Sequence, residues 1–241
     1  MAPEASEPKI NHEVHVIQAA LKTPRVAALA GIVFSLIFIF ILVILRISIP
    51  ADPHDAGVWL PLHWKRVSLA VNLMPVAGIA FLWFIGVIRD RIGNNEDRFF
   101  STVFFGSGLL LIAMLFSASA IAGAVIVFYG EAPGRLLESE LYPICRLISH
   151  HFMNIYGIKM SAVFMCMTST LALRTGITPR WMALLGFPLA LLLLFFSGAY
   201  HWFPLIFPVW VLIISIYVLI SNLARPGIIE TIPRGAGEAK E

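Results

Sequence analysis

The sequence predicts an all-α fold, a polytopic membrane helix bundle of six transmembrane helices with N and C termini in the cytoplasm. Three observations predict it. The first is composition: 59% of the residues are hydrophobic and 13% charged, with a mean hydropathy of +0.86, whereas a soluble domain is near half apolar and a quarter charged. The second is a series of six apolar runs, at about 26–45, 67–88, 101–128, 147–173, 181–198 and 204–223, none holding an Asp or Glu. The third is charge asymmetry. With the N-terminus inside, the cytoplasmic segments hold 11 Lys and Arg and the opposite side 5, which the positive-inside rule reads as cytoplasmic termini.

Along the chain, residues 1–25 form a polar cytoplasmic segment in which 14–21 suit a short helix on the membrane surface. The span that follows closes at Arg46 with no small-residue cleavage pattern after it, so it reads as a retained helix and not a cleaved signal peptide. Gly93 ends the second helix, and Asn95 caps the third with Glu96 and Asp97 in its first turn. Ser117, Ser119, Ala122 and Gly123 allow a neighbour to approach the third helix, which makes it the expected centre of the bundle. Gly176 ends the fourth, and Thr178 with Pro179 supplies the cap and first turn of the fifth. The six-helix transmembrane domain covers 26–223, and residues 224–241, polar with Pro and Gly, form a disordered cytoplasmic tail. No internal repeat or low-complexity segment stands out.

The net charge of +3 sits at helix ends, a pattern of membrane topology and not a nucleic-acid footprint. Cys145 and Cys166 share one helical stretch, roughly 30 Å apart at 1.5 Å per residue, too far to pair within a chain. Trp59 and Trp64 in the outward loop 47–66 suit a membrane interface. A second outward loop, 129–146, holds Glu131, Glu138 and Glu140.

Two residue groups are candidates for chemistry. Lys159 is the one charge well inside a span, with no intramembrane carboxylate to pair with it, and an intramembrane cation is a functional-site hypothesis by default. With Tyr156 on its helical face, Asn154 near the outer end and Asn72 on the second helix, it makes the candidate solute-binding set. The bland alternative is a lysine that snorkels and amides that serve as packing glue. The lack of an intramembrane acid also argues against a retinal-like Schiff base. The second group is histidine: His54, flanked by Asp52 and Asp55, with His150, His151 and His201, all on the outward side. These suit a metal or haem as the alternative cofactor, although no spacing matches a metal motif. No Ser-His-Asp arrangement, phosphate-binding glycine loop or cysteine-pair motif is present.

Three stretches carry a resemblance: Gly86-Val-Ile-Arg-Asp-Arg91, then Glu96-Asp-Arg-Phe-Phe100 leading to Phe105-Gly-Ser-Gly-Leu109, and Lys159-Met-Ser-Ala-Val-Phe-Met165 leading to Leu173-Arg-Thr-Gly-Ile-Thr-Pro-Arg-Trp181. Over roughly the second to fifth helices the chain resembles a group of uncharacterised bacterial multi-pass membrane proteins, a family of unknown function. The resemblance implies a bacterial inner-membrane protein and no activity. It also implies arginine where this chain has Lys159, which favours a retained cation over catalytic lysine chemistry.

The function expected from the sequence is non-enzymatic: binding or transport of a solute, or service as an accessory subunit of a membrane complex. The expected partners are the lipid bilayer and a membrane protein or second copy of the chain, with no nucleic acid. The alternative is a membrane-bound metal or haem protein using the outward histidines.

Overall fold

The computed structural model describes the backbone of residues 7–92, 98–176, 178–197 and 200–223, with side chains within 26–89, 99–176, 178–197 and 200–221. Among these residues the fold is all helical, without a strand. In chain order the elements are α1 (Glu7–Ser48), α2 (Leu60–Ile92), α3 (Arg98–Glu131), α4 (Pro133–Leu137) and α5 (Leu141–His151). A π-helical turn (Phe152–Tyr156) leads into α6 (Gly157–Thr175); then come α7 (Arg180–Phe195), a 3-10 turn (Phe203–Leu205) and α8 (Ile206–Leu223).

Five stretches among the described residues are long and apolar enough to cross a membrane: Val26–Ser48, Leu60–Arg89, Phe99–Glu131, Leu141–Thr175 and Phe203–Ser221. The helix of the fifth apolar run, Arg180–Phe195, is shorter. Large apolar side chains point away from the protein on every one of these helices, among them Leu36, Trp83, Leu110, Ile148, Leu184 and Ile220. A soluble monomer rarely leaves so much contiguous apolar surface uncovered, whereas lipid accepts it. The protein is thus a multi-pass membrane protein by the length and surface of its helices.

The interior is organised by phenylalanine. Phe34 of α1, Phe81 of α2, Phe104 of α3, Phe164 of α6 and Phe207 of α8 are all nearly or fully buried. The Phe81 ring lies 4.5 Å from Phe34, 5.1 Å from Phe164 and 5.8 Å from Phe207, and Phe164 lies 4.8 Å from Phe104, centroid to centroid. These are the tilted and edge-on separations that aromatic pairs prefer. α3 packs against α2, α4, α5, the π-helical turn and α6, and its Phe104 joins the ring cluster to which five helices contribute. α1 packs on α2 and α8, and α7 packs mainly on α6.

Small residues set the closest helix approaches. Gly31 of α1 lies against Ser215 of α8 and Phe84 of α2, and Gly186 of α7 lies against Ser169 of α6 and Trp210 of α8. A β-carbon at either position collides with a neighbour, so these crossings depend on glycine in the way small-residue membrane interfaces do.

Helix ends follow the sequence closely except at the N-terminus, where α1 runs unbroken from Glu7 through 14–21 into the first span, so that the expected short surface helix is continuous with it. Gly176 adopts a left-handed φ of 65° and ends α6, its N–H donating to the Ala172 carbonyl, as expected of a C-terminal glycine. The cap of α7 is Pro179 and not Thr178: Pro179 is extended (φ −58°, ψ 144°), and the Thr178 hydroxyl is buried without a hydrogen-bond partner. α7 stops at Phe195, short of 198, because Phe196 leaves helical geometry while its N–H still donates to the Leu192 carbonyl. The expected ends at Gly93 and Asn95 lie outside the described residues.

Candidate functional site

Polar groups gather at the end of the bundle where α1 finishes. Arg46 stands in the last turn of α1. Its Nη2 donates to Asn154 Oδ1, and its Nη1 donates to His201 Nδ1 at 3.1 Å. Since Nδ1 accepts, the His201 ring carries its proton on Nε2, which faces the Arg46 carbonyl at 3.4 Å. One guanidinium thus ties together α1, the π-helical turn and the α7–α8 connection, segments 108 and 155 positions apart.

The local fold explains why Asn154 is available. It lies inside the π-helical turn Phe152–Tyr156, whose extra residue shifts the helical register between α5 and α6; such bulges recur at functional sites. The Asn154 amide Nδ2 donates back to the His150 carbonyl at 3.2 Å, which fixes the side chain with Oδ1 toward Arg46. Arg146, two turns earlier, reaches the α1–α2 connection, where its Nη2 donates to Pro50 O at 2.9 Å and Asp52 O at 3.2 Å. Its Nε is buried without a hydrogen-bond partner.

These side chains surround a cavity in two adjoining parts. The first, of about 80 Å³, is lined by Arg46, Arg146, His150, Asn154 and His201, with Val71 and Met74 of α2 forming an apolar side. The second, of about 150 Å³, shares Arg46, His150, Asn154 and His201 and extends to Tyr200 and Pro204. No acidic side chain lines either part. Above it, Trp59 Nε1 donates to the Tyr142 hydroxyl at 3.0 Å within a second apolar cluster that includes Leu60, Leu136 and Ile126. That cluster braces the loops over this end of the bundle.

Burial and the adjacent Arg46 guanidinium hold the His201 imidazole below its ordinary pKa, more than the contact with the Arg46 carbonyl raises it; Arg146 lowers it further. The neutral ring is therefore the favoured form, in agreement with its acceptor role.

The candidate solute-binding residues of the sequence do not line one cavity. Of Lys159, Tyr156, Asn154 and Asn72, Asn154 alone lines the cavity. Lys159 is half-buried on α6, Tyr156 is exposed, and Asn72 is exposed with its amide donating to Ser68 O at 2.9 Å on its own helix. The histidines divide likewise. His150 and His201 line the cavity. His151 Nδ1 donates to its own helix at Leu147 O, 2.8 Å away. His54 is exposed, and the flanking carboxylates fold the loop: Asp52 accepts the His54 N–H at 2.9 Å and Asp55 the Gly57 N–H at 2.8 Å. Among the described residues no three His, Cys, Asp or Glu lie together as metal ligands would. Cys145 and Cys166 are both free thiols.

Comparison with known proteins adds no relative. No family model, curated protein or solved structure matches this chain. Residue roles therefore rest on the geometry alone. The residues that sequence reasoning passed over are Arg46 and Arg146, which it used solely as markers of topology. Their signal was faint: two arginines at span ends with no acid in the adjoining runs.

Proposed function

We propose that this chain is a six-span protein of a bacterial inner membrane that binds a small polar solute in the Arg46 cavity from the non-cytoplasmic side. It does so either as a binding or transport protein in its own right or as an accessory subunit of a membrane complex. The observation that carries the reading is the convergence of Arg46, Arg146, His150, Asn154 and His201 around one cavity. Several polar side chains pre-arranged around a space of molecular size describe a binding site better than they describe packing.

Six passes and the orientation have separate support. Asn154, in the π-helical turn before α6, and His201, after α7, both touch Arg46, so the α6–α7 hairpin leaves this end of the bundle and returns to it. α7 holds 16 residues, about 24 Å at helical rise against a hydrocarbon core of about 30 Å, and the connection to His201 follows it before the contact with Arg46. A sixth pass places both termini at the end opposite the cavity, which is also where Lys and Arg are more numerous.

The reading is tested by melting the detergent-purified protein against a panel of small anionic, neutral and cationic solutes. A solute that stabilises the natural protein and fails to stabilise Asn154→Ala supports the cavity. Solutes that stabilise both equally, or none that stabilises either, contradict it. Lys159→Met is expected to leave the response intact.

A further inference from the structure

The cavity has a charge character that narrows its ligand. Arg46 and Arg146 both line it, and no Asp or Glu does. The nearby carboxylates of Asp52 and Asp55 are engaged by backbone N–H groups of their own loop. Arg146 donates to two carbonyl oxygens and has the Tyr142 hydroxyl and the Asp55 and Asp52 carboxylates acting on it from the loop side, whereas on Arg46 it is the Arg146 guanidinium that acts, in repulsion. Two guanidiniums sharing a half-buried space repel each other, and partial burial strengthens that repulsion relative to water. Proteins relieve such an arrangement with a counter-charge, and guanidinium is the side chain whose forked donors match carboxylate and phosphate.

Resting on the solute-binding reading above, we infer that the cavity takes a compact oxyanion, a carboxylate or phosphate group, held between Arg46 and Arg146. The donors for it exist. A guanidinium has five N–H groups; Asn154 and His201 occupy two on Arg46, which leaves three while locking the side chain in place. Arg146 lines the smaller part of the cavity and adds its charge there, while its Nε–H is buried out of reach of a water-sized atom. Cavity parts of about 80 and 150 Å³ admit a group of a few heavy atoms where a water occupies about 30 Å³ of liquid.

The floor of the cavity leaves two sources for this group. A narrow apolar slot lined by Phe38, Leu42, Leu115 and Phe207 adjoins it, sharing Met153, Ile158 and Pro204 with the polar parts. The slot, about 20 Å³, is smaller than one water's share of liquid, about 30 Å³, so the oxyanion is either a free solute or the head of an amphiphile whose chain stays in the surrounding lipid.

The test is calorimetric titration and melting of the full chain in an uncharged detergent, at constant ionic strength, with inorganic phosphate, acetate and dihexanoyl phosphatidic acid in separate arms and chloride as control. The expected result is saturable binding in at least one oxyanion arm, weakened about tenfold or more by Arg46→Gln and by Arg146→Gln, and unchanged by Lys65→Gln outside the cavity. Binding of phosphate or acetate identifies a free solute. Binding of the phosphatidic acid alone identifies a lipid head. No saturable binding by the natural protein in any arm overturns the oxyanion, whatever the variants do, as does binding by both arginine variants that is as tight as that of the natural protein. A neutral or cationic solute that binds and is lost in Asn154→Ala would also overturn it while leaving the solute-binding reading in place.

Discussion

Arg46 is the residue on which the cavity turns, and its neighbours make separable contributions. Asn154 supplies an acceptor to a charged donor, and removing it strands that donor in a partly buried site. Asn154→Ala is expected to destabilise the protein by about 1–3 kcal/mol, read as a lowered melting temperature, while Asn72→Ala, exposed and bonded to its own helix, is expected to leave melting unchanged. His201 adds a pH dependence. Its pKa is held down in the folded protein, so the unfolded chain takes up the proton first, near the ordinary value of about 6.5. Stability is then full above that value and falls as pH drops from it toward the depressed folded pKa. His201→Gln should remove that part of the acid sensitivity, and a melting curve against pH with the same slope in both proteins would contradict the assignment. His150, Arg46 and Arg146 face the same cavity and titrate or repel in the background of that comparison. The sequence made these residues legible one at a time. It marked His201, His150 and Asn154 as candidates and Arg46 as a helix end, but contacts across 108 and 155 positions leave no trace in local spacing.

Helices were more legible than the contacts between them. Apolar runs bounded by charge marked every long helix, because a bilayer demands about 20 apolar residues per crossing. Boundaries moved where tertiary packing reached beyond the apolar run: α2 begins at Leu60, where Leu60 and Val67 join the cluster around Trp59. The π-helical turn was invisible in the sequence, since nothing in Phe152–Tyr156 breaks an α-helical pattern; its register shift is visible only in the backbone. Glycine contacts give a prediction at this scale. Gly186→Val inserts carbon into the contact with Ser169 and Trp210, and overpacking of this kind costs about 1–3 kcal/mol, seen as lower melting and folded yield. Gly86→Ala, where no atom lies near the added carbon, is expected to be neutral or stabilising by up to about 1 kcal/mol. Equal effects of the two would mean that the α6–α7–α8 contact does not set the packing.

At the scale of the molecule, the bundle is held by rings and opened by charge. Phe81 touches Phe34, Phe84, Phe164 and Phe207, and Phe81→Ala is expected to cost about 3–5 kcal/mol, more than the truncation of Phe195, which is 74% exposed. A melting comparison of the two variants checks the ranking. Composition foretold a membrane bundle but not which helix lies beside which, because 18 phenylalanines serve lipid-facing and core positions alike. The proposed function requires a charged cavity that opens on the non-cytoplasmic side. Ala51 lines both of its polar parts and is exposed, so it can report access. With Cys145 and Cys166 replaced by serine, Ala51→Cys in sealed right-side-out vesicles is treated with a membrane-impermeant maleimide. Labelling without detergent, slowed by the bound solute, is the expected result. Labelling confined to inside-out or permeabilised vesicles would contradict it.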